Sequence, residues 1–132
     1  MHIRAIVITL LTVFFVGCMN KQTVQEPFVI NGETACQSIN LRLNQQLTVR
    51  LKANPTTGYQ WVLKQQPSFL KIINADVYQQ DSHPEGMVGV GGQTTWSFQA
   101  QAKGSDALIL IYQRPWEKEQ VAETFECVIN VN

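Results

Sequence analysis

An all-β fold, an immunoglobulin-like antiparallel β-sandwich, is predicted by three features of this sequence. Apolar and polar residues alternate over several short runs, the period of a strand with one buried face. Turns containing glycine, proline or asparagine separate these runs and leave room for seven or so strands. Outside the N-terminal segment, no stretch sustains the 3.6-residue apolar period of an amphipathic helix.

The N-terminal segment comes first in the chain. Residues 1–17 have a basic start at Arg4, an apolar run from Ala5 to Val16, and end on Gly17 before Cys18. They read as a secretory signal, since the apolar run is too short for a comfortable membrane span; an uncleaved anchor helix is the alternative. Phe15-Val16-Gly17-Cys18 resembles a bacterial lipobox, with Phe15 where leucine is usual. That resemblance implies that Cys18 becomes the lipidated first residue of the mature protein. Met19 and Asn20, with no aspartate after the cysteine, point to the outer membrane of a two-membrane bacterium, facing the periplasm or the cell surface. Residues 18–28 then form a polar tether and residues 29–132 the folded domain.

The strands follow in order. Leu47, Val49, Leu51 and Ala53 alternate with polar neighbours, as do Tyr59, Trp61 and Leu63, then Trp96, Phe98 and Ala100, and finally Phe125, Cys127, Ile129 and Val131. Residues 67–73 read as a helical turn leading into a strand-like run that ends near Tyr78. Residues 107–112, "ALILIY", are apolar throughout, the pattern of a central strand covered on both sides. Residues 79–92 form a long polar, glycine-rich connection, and long loops in compact domains are often functional.

Composition narrows the function. The 132 residues amount to one domain, 45% hydrophobic and 15% charged. Ten basic residues balance ten acidic ones; losing residues 1–17 removes only Arg4, so the mature charge is nine minus ten, or −1. No basic stripe fits nucleic acid and no charge run fits a membrane-surface helix. With Cys18 set aside, Cys36 and Cys127 either close a long loop as a disulfide or sit as two buried thiols; two cysteines offer no spacing pattern that decides.

Catalytic groups are scarce. His83, in a Ser-His-Pro loop, is the one histidine left after export, and Cys127 falls on an apolar face where burial silences a thiol. No His/Cys/carboxylate cluster has metal-ligand spacing. The expectation is a protein that is no enzyme, with no cofactor and no metal.

Three loops stand out instead. In Asn54-Pro55-Thr56-Thr57-Gly58-Tyr59, Pro55 fixes φ, Asn54 can bond its own downstream backbone, and Gly58 can take positive φ. Such a loop has lost its ordering entropy before it meets a partner. Gly89-Val90-Gly91-Gly92 leaves backbone groups open to pair with an outside chain. Arg114-Pro115-Trp116-Glu117 places a tryptophan beside an arginine, the residue types that dominate binding hot spots.

In this order, the three loops strongly resemble the chagasin family of cysteine-protease inhibitors, over roughly residues 39–132. The resemblance implies an immunoglobulin-like fold that blocks papain-like cysteine proteases reversibly and without covalent chemistry. Asn54 to Tyr59 would be the central wedge, with Thr56 and Thr57 facing the catalytic cysteine and histidine of the protease. Gly89, Val90, Gly91 and Gly92 would line one side of the cleft and Arg114, Pro115 and Trp116 the other. The expected partners are a papain-like protease and, through the lipid, a membrane; the domain is expected to be a monomer. Two other readings are an adhesion or carbohydrate-binding module with Trp116 and Tyr59 as an aromatic platform, and a structural lipoprotein of the cell envelope.

Overall fold

A computed structural model of the chain describes residues 17, 24–32 and 36–132. Apart from Gly17, the expected export signal lies outside the described residues, as does the lipidation expected at Cys18. Eight strands are present among the described residues: β1 (Phe28–Asn31), β2 (Ser38–Leu41), β3 (Gln46–Ala53), β4 (Gln60–Gln65), β5 (Leu70–Gln80), β6 (Gly92–Ala100), β7 (Gly104–Gln113) and β8 (Val121–Val131). They form two four-stranded sheets, ordered β1-β3-β6-β5 and β2-β8-β7-β4.

The core follows from the alternation. Leu47, Val49 and Leu51 of β3 turn inward beside Phe98 and Trp96 of β6, and all five are buried. The second sheet supplies Leu108, Leu110 and Tyr112 from β7 and Phe125, Cys127, Ile129 and Val131 from β8. Each large apolar side chain taken fully out of water contributes about 1.5–3 kcal/mol, so these inner faces hold the sheets together. Trp61 is buried and donates from Nε1 to the Lys52 carbonyl at 2.8 Å, whereas the buried Nε1 of Trp96 has no partner among the described residues.

The sandwich departs from the expected pattern in three places. Its sheets are mixed, because β1 pairs in parallel with β3 and β2 with β8. The chain rises through β1 in one sheet, descends through β2 in the other, and rises again through β3 beside β1, which makes that pair parallel. The ALILIY run is covered on one face alone: Leu108 and Leu110 are buried, while Ile109 and Ile111 on the outer face are half-buried. β7 is flanked by β8 and β4 within its sheet, and among the described residues no further strand layer covers its outer face. The long connection also shrinks to residues 81–91, since β5 runs to Gln80 and β6 begins at Gly92.

The cysteine question is resolved in favour of a bond. Cys36, just before β2, and Cys127, inside β8, form a disulfide with Cα atoms 5.1 Å apart and a sequence separation of 91 positions. At the N-terminal side, β1 begins at Phe28, one residue inside the expected tether.

Candidate functional site

β3 ends at Ala53, β4 begins at Gln60, β6 begins at Gly92 and β7 ends at Gln113, so the loops between them meet at one pole of the sandwich. The first loop folds into a single 3-10 turn, Pro55–Thr57. Asn54 caps it in an extended conformation, and its Oδ1 accepts from the Thr56 amide at 3.2 Å and from Thr56 Oγ1 at 2.6 Å. Thr57 Oγ1 donates to the Asn54 carbonyl at 2.7 Å, and the Thr57 amide donates to the same oxygen at 3.1 Å. Gly58 closes the turn at φ 80, the left-handed region that a β-carbon disfavours. Both threonine hydroxyl protons are thereby committed inside the loop, and Thr57 Oγ1 also accepts from the Tyr59 amide at 3.4 Å, while both residues stay exposed.

The other two loops are fastened to the first. Asn54 Nδ2 donates to the Gly89 carbonyl at 3.1 Å, joining the first loop to the glycine loop. Arg114 Nε donates to the Thr57 carbonyl at 3.1 Å, and its guanidinium lies 4.5 Å from the centre of the Tyr59 ring. Arg114 also pairs with Glu117 at 3.6 Å within its own turn. Trp116 rests over Gly58 with its indole 68% exposed.

Below these contacts an aromatic stack anchors the pole to the core. Tyr59 stacks on Tyr112 at 5.3 Å, and Tyr112 on Trp61 at 5.1 Å. The Tyr112 hydroxyl accepts from the Asn54 amide at 2.9 Å. Tyr112 does not stand out in the sequence, because within the ALILIY run it reads as one more core residue; its one signal is that a buried tyrosine needs a partner for its hydroxyl. Tyr59 is half-buried and engaged by both Tyr112 and Arg114, so an aromatic platform at this pole would rest on Trp116 and the less exposed Tyr78 beside it.

Gly92 belongs to β6 and not to the loop. It pairs with Ala53 on one side and Gln80 on the other, it is buried, and a β-carbon there would collide with the Gln79 carbonyl. Gly89, Val90 and Gly91 remain in the loop, closed at its base by the Asp81 amide donating to the Gly91 carbonyl at 3.0 Å. The same loop carries two exposed apolar side chains, Met87 and Val88, the latter 90% exposed. They stand out in sequence as two adjacent apolar residues in a polar connection. Among the described residues no group of three His, Cys, Asp or Glu side chains is placed to hold a metal ion.

Comparison with known proteins agrees with this architecture. Amoebiasin-1 of Entamoeba histolytica is 31% identical over 94 residues, spanning 71% of this chain and 89% of that protein. The crystal structure of the cysteine protease inhibitor EhICP2 from Entamoeba histolytica superposes with a TM-score of 0.70 at 22% identity, covering 80% of this chain and 95% of that one. The solution structure of Amebosin gives a TM-score of 0.66 at 26% identity, covering 82% and 100%. PbICP-C, solved in complex with falcipain-2, has the same fold at a TM-score of 0.55 and 20% identity, covering 80% and 99%. Residues 40–131 match the family described as "Chagasin family peptidase inhibitor I42", and the chain belongs to that family of cysteine-protease inhibitors.

Proposed function

We propose that the three-loop pole enters the cleft of a papain-like cysteine protease and blocks it reversibly, without covalent chemistry. The observation that carries this reading is the cross-fastening of the loops, Asn54 Nδ2 to the Gly89 carbonyl and Arg114 Nε to the Thr57 carbonyl. A loop held at both flanks keeps one shape, so little ordering entropy is lost on binding. The turn Pro55–Thr57 forms the wedge, with Asn54, Gly58 and Tyr59 bracing it and the Thr56 and Thr57 methyl groups and oxygens facing the catalytic pair. Gly89, Val90 and Gly91 line one wall, with Gly92 fixing the start of β6 behind them. Arg114, Pro115 and Trp116 line the other. The chain acts as a binder and not as an enzyme, in keeping with its family. Steady-state inhibition of papain by the folded domain tests the reading: competitive inhibition is expected, and no effect on turnover overturns it.

The anchoring part rests on sequence. Residues 1–17 direct export, Cys18 is lipidated, and the domain from Phe28 onward acts as a monomer held at the cell envelope, on the outer membrane. Fatty-acid labelling that disappears in Cys18→Ser, with release of the protein from the membrane fraction, is the expected result. An unlabelled, soluble wild-type protein contradicts it.

A further inference from the structure

The direction of β1 decides where a tether leaves the domain. β1 runs parallel to β3 in the register Phe28 to Leu47 and Asn31 to Arg50, and β3 climbs toward the three-loop pole, ending at Ala53. Phe28 therefore lies at the opposite pole, among the turns that join β2 to β3 and β6 to β7. The chain before it is fastened there: Gln25 Nε2 donates to the Leu43 carbonyl at 3.3 Å, and Gln45 Nε2 donates to the Glu26 carbonyl at 3.0 Å. At about 3.3 Å per residue, the eight residues of β3 put the loops roughly 26 Å beyond this exit point. The eight residues from Cys18 to Gln25 span at most about 29 Å fully extended, little more than the length of β3, so the link holds the exit pole nearer to the anchor than the loops.

Charge is arranged the same way. The exit-pole turns, residues 42–45, 66–69 and 101–103, carry Arg42 and Lys103 against the single Glu26 of the segment fastened there, with Leu43 exposed among them. The loops over residues 81–91 and 114–120 carry Asp81, Glu85, Glu117 and Glu119 against Arg114 and Lys118. An anionic headgroup layer attracts the first pole and repels the second.

We infer that the pole around Arg42, Leu43 and Lys103 is the lipid-facing surface, and that the anchored domain presents its protease-binding loops away from the membrane. This rests on the reading of Cys18 as the lipidated residue. The inhibitor then works in place, on proteases approaching from the open side, without release from its anchor.

The test uses residues 18–132, which contain every strand and core side chain described. Cys18 is coupled to a maleimide lipid in vesicles that contain anionic lipid and a headgroup nitroxide. The control is Cys18→Ser with Lys118→Cys, coupled through the loop pole. Trp61 and Trp96 are buried, so the iodide-accessible emission belongs to Trp116. The Cys18-coupled protein is expected to keep that emission unquenched by the nitroxide and to inhibit papain as the free domain does. The Lys118-coupled protein is expected to lose both. Equal quenching in the two forms overturns the inference. The quenching arm decides orientation even for a domain that fails to inhibit papain, and absence of acylation in cells refutes the anchor without touching the geometry.

Discussion

Trp116 lies directly across Gly58: a β-carbon at Gly58 would sit 2.5 Å from the indole Cη2 and 3.1 Å from Cζ2. The bare α-carbon of the wedge is thus the seat of the exposed tryptophan. Gly58→Ala meets both that contact and the positive φ, which alone costs about 1–2 kcal/mol for an L-residue. The indole is free to swing outward, so the fold should survive. We expect a melting temperature lowered by that small strain and a disproportionate loss of papain inhibition, measured on the same preparation. Unchanged inhibition would show that the indole position is irrelevant to binding.

Trp116→Ala isolates the contact without the strain. Truncating an aromatic anchor typically costs about 2 kcal/mol or more of binding energy, which is about thirty-fold in the inhibition constant. With the side chain 68% exposed, thermal stability should barely change. A large drop in melting temperature with undiminished inhibition per folded molecule would make Trp116 a core residue.

The two buried tryptophans should respond differently to phenylalanine. Trp61 Nε1 donates to the Lys52 carbonyl at 2.8 Å, so Trp61→Phe leaves that carbonyl without this donor. Trp96 Nε1 is buried without a partner, so Trp96→Phe removes an unsatisfied donor along with packing. A buried polar group left unpaired costs about 1–3 kcal/mol, a cost that the Trp96 nitrogen carries already and that phenylalanine removes. Denaturant titration should therefore show Trp96→Phe as the milder change, while alanine at either site costs about 3–5 kcal/mol through lost volume. Equal losses for the two phenylalanine variants would mean that the orphan nitrogen has found a partner.

These contrasts also mark what the sequence disclosed. Leu47, Val49 and Leu51 announce an inward face through their spacing, and the structure buries all three. The parallel pairing of β1 with β3 leaves no local trace, because strand direction depends on which sheet the intervening strand β2 joins. Ile109 and Ile111 read as buried by hydropathy, yet they are half-buried on an outer face that no further strand layer covers among the described residues. At the site, residue types and order exposed the three loops. The bonds that fasten them, from Asn54 to Gly89 across 35 positions and from Arg114 to Thr57 across 57, are tertiary geometry that no spacing encodes.

The Cys36–Cys127 bond closes a loop of 91 positions and ties the segment before β2 to β8, and neither cysteine belongs to the three loops. Chain entropy sets its contribution at about 4–5 kcal/mol as an upper figure. The paired variant Cys36→Ala/Cys127→Ala should lose stability on that scale in denaturant while keeping its inhibition constant wherever it remains folded. A thiol count on the unfolded, non-reduced protein should find neither cysteine free; two free thiols would refute the bridge.

The wedge itself predicts an inhibitor that survives its target. A protease cuts a peptide whose carbonyl reaches near-attack alignment with the nucleophile. Here the backbone from Asn54 to Gly58 is curled into a 3-10 turn and held by the Asn54 cap, the Thr57 hydroxyl and the Gly89 and Arg114 cross-bonds. Straightening it into an extended substrate breaks these bonds together. We expect intact mass after prolonged incubation with stoichiometric active papain, and undiminished inhibition on re-assay. Asn54→Ala removes the cap and the Gly89 cross-bond at once. Loss of a cap typically costs about 1 kcal/mol, enough to loosen the turn without unfolding the sandwich. That variant should be cut slowly between Asn54 and Tyr59, with inhibition decaying as the cut accumulates. Early cleavage of the wild-type loop at the same place would show that it binds as a substrate, and the wedge mechanism would be wrong.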